Sequence, residues 1–513
     1  MIATADKPGS SSVIIQLNAQ DNVAICSRGL APGEAIDNLN VKSVVPRGHK
    51  IALTGIAEGQ AVRKYAQIIG YASQPIAAGD HVHTHNLAFQ TSAPEHTFCA
   101  ERRETELLPA DQRETFEGYV RADGRVGTRN YIAVITSVNC SATAGRLIAE
   151  HFTPEALSAY PNVDGVAAFV HGTGCAMAAN SEGMDNLQRV MWGYAKNPNC
   201  AGVLMVGLGC EANQIDFLLD IYGIERGPLF RTMNIQLMGG LRKTVDAGIG
   251  IIKEMLPHAN EETRQTVDAS HLTLALQCGG SDAWSGVTAN PALGHASDLL
   301  IRNGGTAVLA ETPEIYGAEH LLTSRARDEK TARKLLERIA WWEDYTRING
   351  GSMDNNPSPG NKAGGLTTIL EKSLGAVAKS GTQRLEGVYR YGEPIDRKGF
   401  VFMDSPGYDP ASITGEIASG CNIAAFTTGR GSVFGSKPAP CIKIATNSEM
   451  YNRMSDDMDI NAGTIVDEGA SIEDVGEQIF RLLLDVASGK PSLSEAQGLG
   501  DYEFVPWQIG AVM

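Results

Sequence analysis

The chain has 513 residues, 43% of them hydrophobic and 20% charged, which is typical of a globular protein with several domains. The formal net charge of −16 argues against nucleic acid and anionic membrane surfaces as partners, although a carboxylate ligand needs only a few local cations. No apolar run approaches the roughly 18 residues of a membrane-spanning helix, and the polar start MIATADKPGSSS lacks the regions of a signal peptide, so we expect a cytoplasmic protein.

The first part of the chain predicts a small β-rich domain over residues 12–91. Short β-type runs such as SVIIQLN, DNVAIC, HKIALTGI and KYAQIIGYA alternate with turns, and helical periodicity is almost absent. A polar, proline-containing stretch then predicts a linker over residues 92–117.

From Gly118 onward, apolar strands alternate with amphipathic helices, which predicts a first α/β domain over 118–256 and a second over 257–513. Strands of the first are expected near 131–138, 166–171 and 202–208. Strands of the second are expected near 272–278, 306–310, 398–403, 422–427 and 441–445. The predicted fold class is α/β, with a small N-terminal β-rich domain before two Rossmann-like domains whose sheets are mainly parallel.

Four cysteines end apolar runs. Cys140, Cys175 and Cys210 lie 35 residues apart, and Cys278 ends a similar run in LTLALQCGGSD. This spacing is the length of a strand–helix–strand unit, whose loops meet at the carboxyl edge of a parallel sheet. In a reducing compartment such thiols favour a metal over disulfides, and the alternative is that each is a small core residue.

Histidines alternate in the segment DHVHTHN, at His81, His83 and His85. Alternate residues of a strand share a face, so the three imidazoles can bind a metal or transfer protons together. The alternative is an exposed polar strand end. His171, four residues before Cys175, is expected at the sheet edge of the cysteines, with a satisfied core histidine as the alternative.

Polar loops rich in Gly and Pro occur at 121–130, 278–291, 356–365, 427–432 and 459–464. Gly and Pro hold such turns in place while polar side chains supply hydrogen-bond donors, which suits a polyhydroxylated anion. We predict that Arg129, Lys362 and Arg430 bind its carboxylate and hydroxyls, together with Asp282 and Asn361. Any one of these loops could alternatively be an ordinary turn.

These strings together resemble the altronate/galactarate dehydratase family of sugar-acid hydro-lyases, over nearly the whole chain. RGHKIALTGIAEGQAVRKYAQIIGYA and AGDHVHTHN are similar to its SAF domain. The resemblance continues through ADGRVGTRN, GLGCE, QCGGSDAWSGVTANPALG, NPSPGNKAGG, FTTGRG and DINAGT. HVHTHN, with EIYGAEHLL and YRYGE, resembles altronate dehydratases in particular.

The resemblance implies that the chain removes water from D-altronate to give 2-dehydro-3-deoxy-D-gluconate, with Fe²⁺, replaceable by Mn²⁺, as the metal. We predict that the metal, as mononuclear iron or an iron–sulfur cluster, lies among Cys140, Cys175, Cys210 and Cys278. The predicted catalytic residues are His83, His85 and His171. We expect a small-molecule sugar acid as partner, no nucleic-acid or membrane partner, and a homodimer. Two alternatives stay open: dehydration of galactarate or another sugar acid, and a sugar-acid-binding regulatory protein.

Overall fold

The computed structural model describes residues 12–90 and 96–513, so the polar start and the junction between the predicted β domain and linker, residues 91–95, lie outside the described residues. Within residues 12–90 the chain forms short strands: β1 (Ile14–Ile15), β2 (Val23–Cys26), β3 (Ala35–Ile36), β4 (Leu39–Asn40), β5 (Lys50–Ala52), β6 (Ala61–Lys64), β7 (Gln67–Ala72), β8 (His81–Val82) and β9 (Leu87–Ala88). They pair as antiparallel sheets in the orders β1–β2–β5–β8 and β6–β7–β9, with a separate pair β3–β4.

The run KYAQIIGYA, expected as one strand, is the second half of a hairpin and contains its turn. Tyr65 and Ala66 adopt left-handed backbone conformations between β6 and β7, with φ of 61° and 59°. The carboxylate of Asp21 accepts hydrogen bonds from both backbone N–H groups, at 3.1 and 2.7 Å. This long-range contact stabilises a turn that the local sequence does not indicate, because no glycine occupies either position.

Residues 110–268 contain the first parallel sheet. Their strands are β10 (Thr115–Val120), β11 (Val126–Gly127), β12 (Tyr131–Thr136), β13 (Gly165–Phe169), β14 (Cys200–Gly207), β15 (Phe230–Asn234) and β16 (Arg264–Asp268). Their helices are α1 (Ala142–Glu150), α2 (Glu182–Ala195), α3 (Ile215–Tyr222), α4 (Ile235–Met238) and α5 (Leu241–Glu261). The order β13–β12–β14–β15 is parallel throughout, whereas β11–β10–β16 is antiparallel. The predicted boundary at 256 falls inside α5, which continues through Pro257 to Glu261.

Residues 269–513 contain a larger parallel sheet. Its strands are β17 (Thr273–Cys278), β18 (Thr306–Leu309), β19 (Leu385–Tyr389), β20 (Gly399–Met403), β21 (Ile423–Thr428), β22 (Cys441–Ala445) and β23 (Ile460–Asn461). Its helices are α6 (Ala289–Arg302), α7 (His320–Thr323), α8 (Glu329–Ile348), α9 (Pro359–Ala363), α10 (Ile369–Val377), α11 (Asp409–Ser419), α12 (Ser448–Arg453), α13 (Thr464–Asp467), α14 (Ile472–Ala487) and α15 (Leu493–Ala496). The order is β19–β20–β18–β17–β21–β22–β23, and the two edge strands are the ones that the sequence pattern did not predict.

Buried apolar side chains join the three parts of the chain. One cluster links Val62 and Ile69 of the N-terminal strands to Leu274 and Ile369 beside the larger sheet. Another cluster links the two parallel sheets. Burying this apolar surface stabilises the packing of the β-rich module against α10. Among the described residues, no helix combines the length and apolar character needed to span a bilayer.

Candidate active site

Histidines of the N-terminal module gather on one surface, next to the end of α9. Nδ1 of His49 lies 3.0 Å from Nε2 of His81, and Nε2 of His49 lies 3.3 Å from the carbonyl oxygen of Ala363. One ring nitrogen from each of His49, His81 and His83 lies within 4.8 Å of the other two. The ring of His85 is exposed and has its centroid 5.3 Å from that of His81. The alternating histidines therefore lie together, as the sequence predicts.

The surroundings of this histidine cluster favour neutral imidazoles. Burial, and then the neighbouring rings of His49 and His83, lower the pKa of His81 to about 3. Burial, and then the ammonium group of Lys50, lower the pKa of His83 to about 4. Burial also lowers the pKa of His49. Neutral imidazole is the form that binds a divalent metal, so the electrostatics of the cluster fit metal binding.

One ring nitrogen in the cluster lacks a hydrogen-bond partner among the described residues. Nδ1 of His83 is buried and makes no hydrogen bond within the described part of the chain. A buried polar atom without a partner is uncommon, and a bound metal would satisfy it. His49 was not among the site residues predicted from the sequence. The local sequence that could have indicated it is the segment RGHK. His49 joins the cluster because β5 pairs with β8, with Ile51 opposite His81.

A buried ionic contact holds this module against α10. Nζ of Lys50 lies 2.8 Å from Oε2 of Glu371, and Nζ of Lys64 lies 2.9 Å from Oε1. Lys50 also donates to the carbonyl of Gly365, at 2.7 Å. Burial raises the pKa of Glu371, but the two ammonium groups outweigh that effect and hold the pKa well below its usual range. The carboxylate therefore stays ionised and bridges two lysines of the module.

A second cluster lies at the carboxyl edge of the larger sheet and consists of Cys278, Glu311, Glu314, Lys372 and Lys379, all buried. Cys278 ends β17, and both glutamates follow β18. Nζ of Lys379 lies 3.1 Å from Sγ of Cys278 and 3.8 Å from Oε2 of Glu311. Nζ of Lys372 lies 2.6 Å from Oε1 of Glu314. We call these five residues the acid–lysine cluster.

Cys278 is buried among charged groups that were not predicted from the sequence, whereas the other three predicted thiol ligands are exposed. Burial raises the pKa of its thiol to about 12, despite the nearby ammonium group of Lys379. Metals bind the thiolate, whereas burial favours the thiol at this position. One ligand atom each of Cys278, Glu311 and Glu314 lies within 4.8 Å of the other two, so ligation by Cys278 stays a prediction. The sequence indication of Glu311 and Glu314 was the acidic segment ETPEIYGAE, which follows β18.

The other three predicted thiol ligands, Cys140, Cys175 and Cys210, lie on the loops after β12, β13 and β14, as their spacing predicts. Cys140, Cys175 and Cys210 are free and exposed. A metal site needs at least three ligand atoms close together. Within the described residues, these three thiols belong to no set of three or more potential ligand atoms that all lie within 4.8 Å of one another. The loops therefore share one sheet edge, and within the described residues their three thiols do not converge on a single ion.

Backbone hydrogen bonds connect these cysteine loops. The N–H group of Asn139 donates to the carbonyl of Thr173 at 2.9 Å, and the N–H group of Asn213 donates to Gly174 at 3.2 Å. Each bond lies within three residues of a cysteine on both of the loops that it joins. The three loops are thus held in a fixed arrangement at the edge.

His171 has no nitrogen free for a metal or a proton transfer. Its Nε2 lies 2.9 Å from the carbonyl of Thr136, and its Nδ1 accepts from the N–H group of Thr173 at 3.3 Å. Burial lowers its pKa to about 4. The arrangement matches the alternative of a satisfied core histidine, and a catalytic role for His171 stays a prediction.

Arg129 is likewise engaged entirely with the protein. Its guanidinium binds Glu495 through Nε and Nη2, at 2.6 and 2.7 Å. The remaining N–H groups donate to the carbonyls of Thr128, Val486 and Lys490. An arginine side chain has five N–H donors, and all five of Arg129 are used within the protein. Its predicted substrate-binding role stays a prediction.

Asp282 and Asn361 connect loops to each other. The buried carboxylate of Asp282 accepts hydrogen bonds from Ser285 and Thr446, at 3.0 Å each. Nδ2 of Asn361 donates to the carbonyl of Ser281 at 2.8 Å, while its Oδ1 caps the first turn of α9. These contacts position the loops beside the site rather than offering groups to a ligand.

Lys362 and Arg430 remain available as cations. Within the described residues neither side chain makes a hydrogen bond to the protein, and Arg430 is exposed. The backbone N–H of Arg430 donates to Gly280 at 2.9 Å, which places it beside the loop after β17. Lys362 directly precedes Ala363, whose carbonyl contacts the histidine cluster. Both positions suit a negatively charged ligand.

Three family models match consecutive parts of the chain. The SAF domain of altronate/galactarate dehydratase matches residues 12–90. The second domain of D-galactarate dehydratase/altronate hydrolase matches residues 118–260, and the C-terminal domain of D-galactarate/altronate dehydratase matches residues 269–512. The chain belongs to the altronate/galactarate dehydratase family.

Full-length relatives agree with this assignment. The chain is 39% identical to the galactarate dehydratase (L-threo-forming) of Escherichia coli K12, over 94% of this chain and 95% of that protein. It is 36% identical to the altronate dehydratase of the same organism, over 94% and 96% of the two chains. It is 34% identical to the altronate dehydratase of Bacillus subtilis 168, over 93% and 95%.

Membership of the altronate/galactarate dehydratase family confirms the resemblance seen in the sequence. The chain is a hydro-lyase, an enzyme that eliminates water. Its N-terminal module is the SAF domain of this family, and parallel sheets follow it, as the predicted fold class states.

Proposed function

We propose that this dehydratase converts D-altronate to 2-dehydro-3-deoxy-D-gluconate. The observation that carries the proposal is the segment HVHTHN, which resembles altronate dehydratases and whose His81 and His83 form the histidine cluster with His49. In this reaction the C2–H and C3–O bonds break, water leaves, and the resulting enol becomes a 2-keto acid. The C2 proton is very weakly acidic, so the negative charge that develops on the carboxylate must be stabilised.

The histidine cluster fits the divalent metal that the family resemblance implies. His49, His81 and His83 would hold it, because their ring nitrogens converge, are neutral, and include the unpartnered Nδ1 of His83. When bound, Fe²⁺ or Mn²⁺ polarises the carboxylate and hydroxyl oxygens of a sugar acid. His85, on the exposed side of the cluster, would contact substrate hydroxyls.

A thiol-bound iron remains a separate sequence-based proposal, now restricted to Cys140, Cys175 and Cys210. Exposed thiols on connected loops can bind different irons of one cluster even where they do not converge on a single ion. Cys278 is left out of this proposal because of its different surroundings.

Lys362 and Arg430 would hold the substrate carboxylate and hydroxyls. Lys362 directly precedes Ala363, the last residue of α9, whose carbonyl contacts His49. Arg430 borders the loop after β17. Each offers N–H donors that the protein leaves unused within the described residues, and an arginine can bind a carboxylate with two parallel hydrogen bonds.

Galactarate is the second candidate substrate, favoured by the 39% identity to the E. coli galactarate dehydratase. Metal-loaded, anaerobically purified enzyme incubated separately with D-altronate and galactarate decides between them, with formation of the 2-keto-3-deoxy acid as the readout. We expect the higher kcat/KM on altronate. A higher value on galactarate would reverse the substrate assignment, and no product from either acid would favour the binding-protein alternative.

A further inference from the structure

The acid–lysine cluster contains a carboxyl group that receives no hydrogen bond from the described part of the chain. Glu311 is fully buried, and within the described residues neither of its carboxyl oxygens has a hydrogen-bond partner. Nζ of Lys379 lies 3.8 Å from its Oε2. A buried carboxyl group without partners is costly, so its retention points to a ligand or a reaction that uses it.

The backbone at Glu311 is strained as well. Its φ of +68° lies in the left-handed region, which is unfavourable for a residue with a long side chain. The N–H group of Glu311 donates to Oγ of Ser405 at 2.9 Å, which helps to hold this conformation. Strain of this kind concentrates at functional sites, where the surrounding structure maintains it.

The neighbouring Glu314 has the opposite surroundings. Its Oε1 accepts from Lys372 at 2.6 Å and from Nδ2 of Asn356 at 2.9 Å. One carboxyl oxygen of Glu314 lies within 4.8 Å of one of Glu311. Burial and the charge of Glu314 raise the pKa of Glu311. Burial also acts to raise the pKa of Glu314, but the charges of Lys372 and Lys379 and the hydrogen bonds from Lys372 and Asn356 together outweigh it and lower that pKa. Two adjacent carboxyl groups with opposite shifts are suited to act as an acid and a base.

The ammonium groups favour an organic anion over a metal at this cluster. Lys379 lies 3.1 Å from the thiol of Cys278, and Lys372 contacts Glu314, so positive charge already occupies the space between the possible ligands. Two buried ammonium groups are suited to stabilise the charge of a carboxylate that loses its α-proton.

A surface groove borders this cluster through residues that contact Glu314. Its volume is about 260 Å³, and its lining includes Trp342, Asn356 and Gly407. Asn356 contacts both Glu314 and Lys372, the latter at 2.8 Å. Gly407 lies so close that a Cβ atom there would be 3.3 Å from Cγ of Glu314. The cluster therefore lies directly behind the wall of an open groove.

Resting on the proposed dehydration of a sugar acid, we propose that the acid–lysine cluster is its proton-transfer centre, with Glu314 as base and Glu311 as acid. The carboxylate of Glu314 takes the C2 proton while the C2–H electrons form the C2=C3 bond. Glu311 gives its proton to the C3 hydroxyl, and the C3–O bond breaks with release of water. Transfer of a proton from Glu314 to Glu311 then restores both groups. Lys372 and Lys379 stabilise the negative charge that develops while the C2 proton leaves.

The test compares Glu311→Gln and Glu314→Gln with the metal-loaded wild-type enzyme on whichever sugar acid the wild type dehydrates. We expect kcat to fall about 10²–10⁴-fold in both variants. In D₂O, NMR should show exchange of the C2 proton in Glu311→Gln, where the base remains, and none in Glu314→Gln. Wild-type failure on both sugar acids would refute the proposed function instead of this assignment.

Glu319→Gln is the matched control. Glu319 is also buried, has one carboxyl oxygen without a partner among the described residues, and has its pKa raised by burial to about 7, yet it is outside the cluster. Glu319→Gln should keep the wild-type kcat. Glu311→Gln should keep or raise the Tm, because the substitution removes a buried acid that has no hydrogen-bond partner among the described residues. Retention of more than a tenth of kcat in Glu311→Gln, or loss of its C2 exchange, would overturn the proposal.

Discussion

Glu371 and Lys372 are consecutive residues of α10, and their side chains contact different clusters. Glu371 binds Lys50 and Lys64 of the SAF domain, whereas Lys372 binds Glu314 of the acid–lysine cluster. A cavity of about 10 Å³, the size of one water molecule, is lined by residues of both contacts. The first turns of α10 therefore position the histidine cluster and the acid–lysine cluster relative to each other.

Glu371→Gln should destabilise the docking of the SAF domain. The substitution leaves two buried ammonium groups without their carboxylate, and breaking a buried ion pair typically costs about 3–5 kcal/mol. We expect the midpoint of urea-induced unfolding to fall to a lower urea concentration. Tryptophan fluorescence can monitor this transition, because Trp284 packs against Ile15 and Ile25 of the domain. An unchanged midpoint would contradict this role.

The control for that measurement is Glu329→Gln. Glu329 pairs with Arg333 one turn along α8, and both side chains are largely exposed. Exposed pairs of this kind contribute below about 0.5 kcal/mol, so the urea midpoint should barely move.

His81→Gln and His83→Gln should lower the metal content of the enzyme. Each removes one nitrogen from the three that converge, so we expect more than a 10-fold loss of metal affinity and of dehydratase activity. Metal analysis of protein purified without chelators measures the first effect. His151→Gln, at an exposed position outside the cluster, should retain both. Full metal content in both cluster variants would place the metal elsewhere.

Glu416→Gln should change how stability depends on pH. Burial raises the pKa of Glu416 from its ordinary 4.5 to about 8, against the hydrogen bond from Gln277. Between these pH values the folded protein holds a proton that the unfolded chain releases, so stability falls as the pH rises from 4.5 to 8. The glutamine stays neutral at every pH. Between pH 4.5 and 8 the free energy of unfolding of the variant should therefore fall less than that of the wild type, by on the order of a few kcal/mol.

The measurement is the apparent Tm of both proteins from pH 5 to 8. The difference in Tm between variant and wild type should grow in favour of the variant as the pH rises. Parallel curves would show that Glu416 is not held protonated in the folded protein.

Serine substitutions at the exposed cysteines test the sequence prediction of thiol-bound iron. If iron binds there, anaerobically purified wild type should show thiolate–iron absorption, and Cys210→Ser should lose most of it together with iron content. Cys99→Ser, at a half-buried position on a different loop, is the control and should match wild type. Equal iron in all three proteins would end the thiol proposal.

Local patterns alone were sufficient for much of the fold. The apolar runs before Cys140, Cys175 and Cys210 form β12, β13 and β14, because strand and helix periodicity is written into neighbouring residues. The alternation in HVHTHN likewise placed His81, His83 and His85 together. The turn at Tyr65 and Ala66 was missed because Asp21, more than forty positions away, accepts its backbone hydrogen bonds.

The sequence by itself determined the family, the order of β and α/β parts, and one group of alternating histidines. Only the tertiary structure decided which ionisable groups meet. His49 joins His81 through strand pairing, Arg129 is engaged by Glu495, and Glu311 and Glu314 meet lysines about sixty positions later. Such contacts depend on how sheets and helices pack, and no periodicity of neighbouring residues encodes which distant charges will share one buried space.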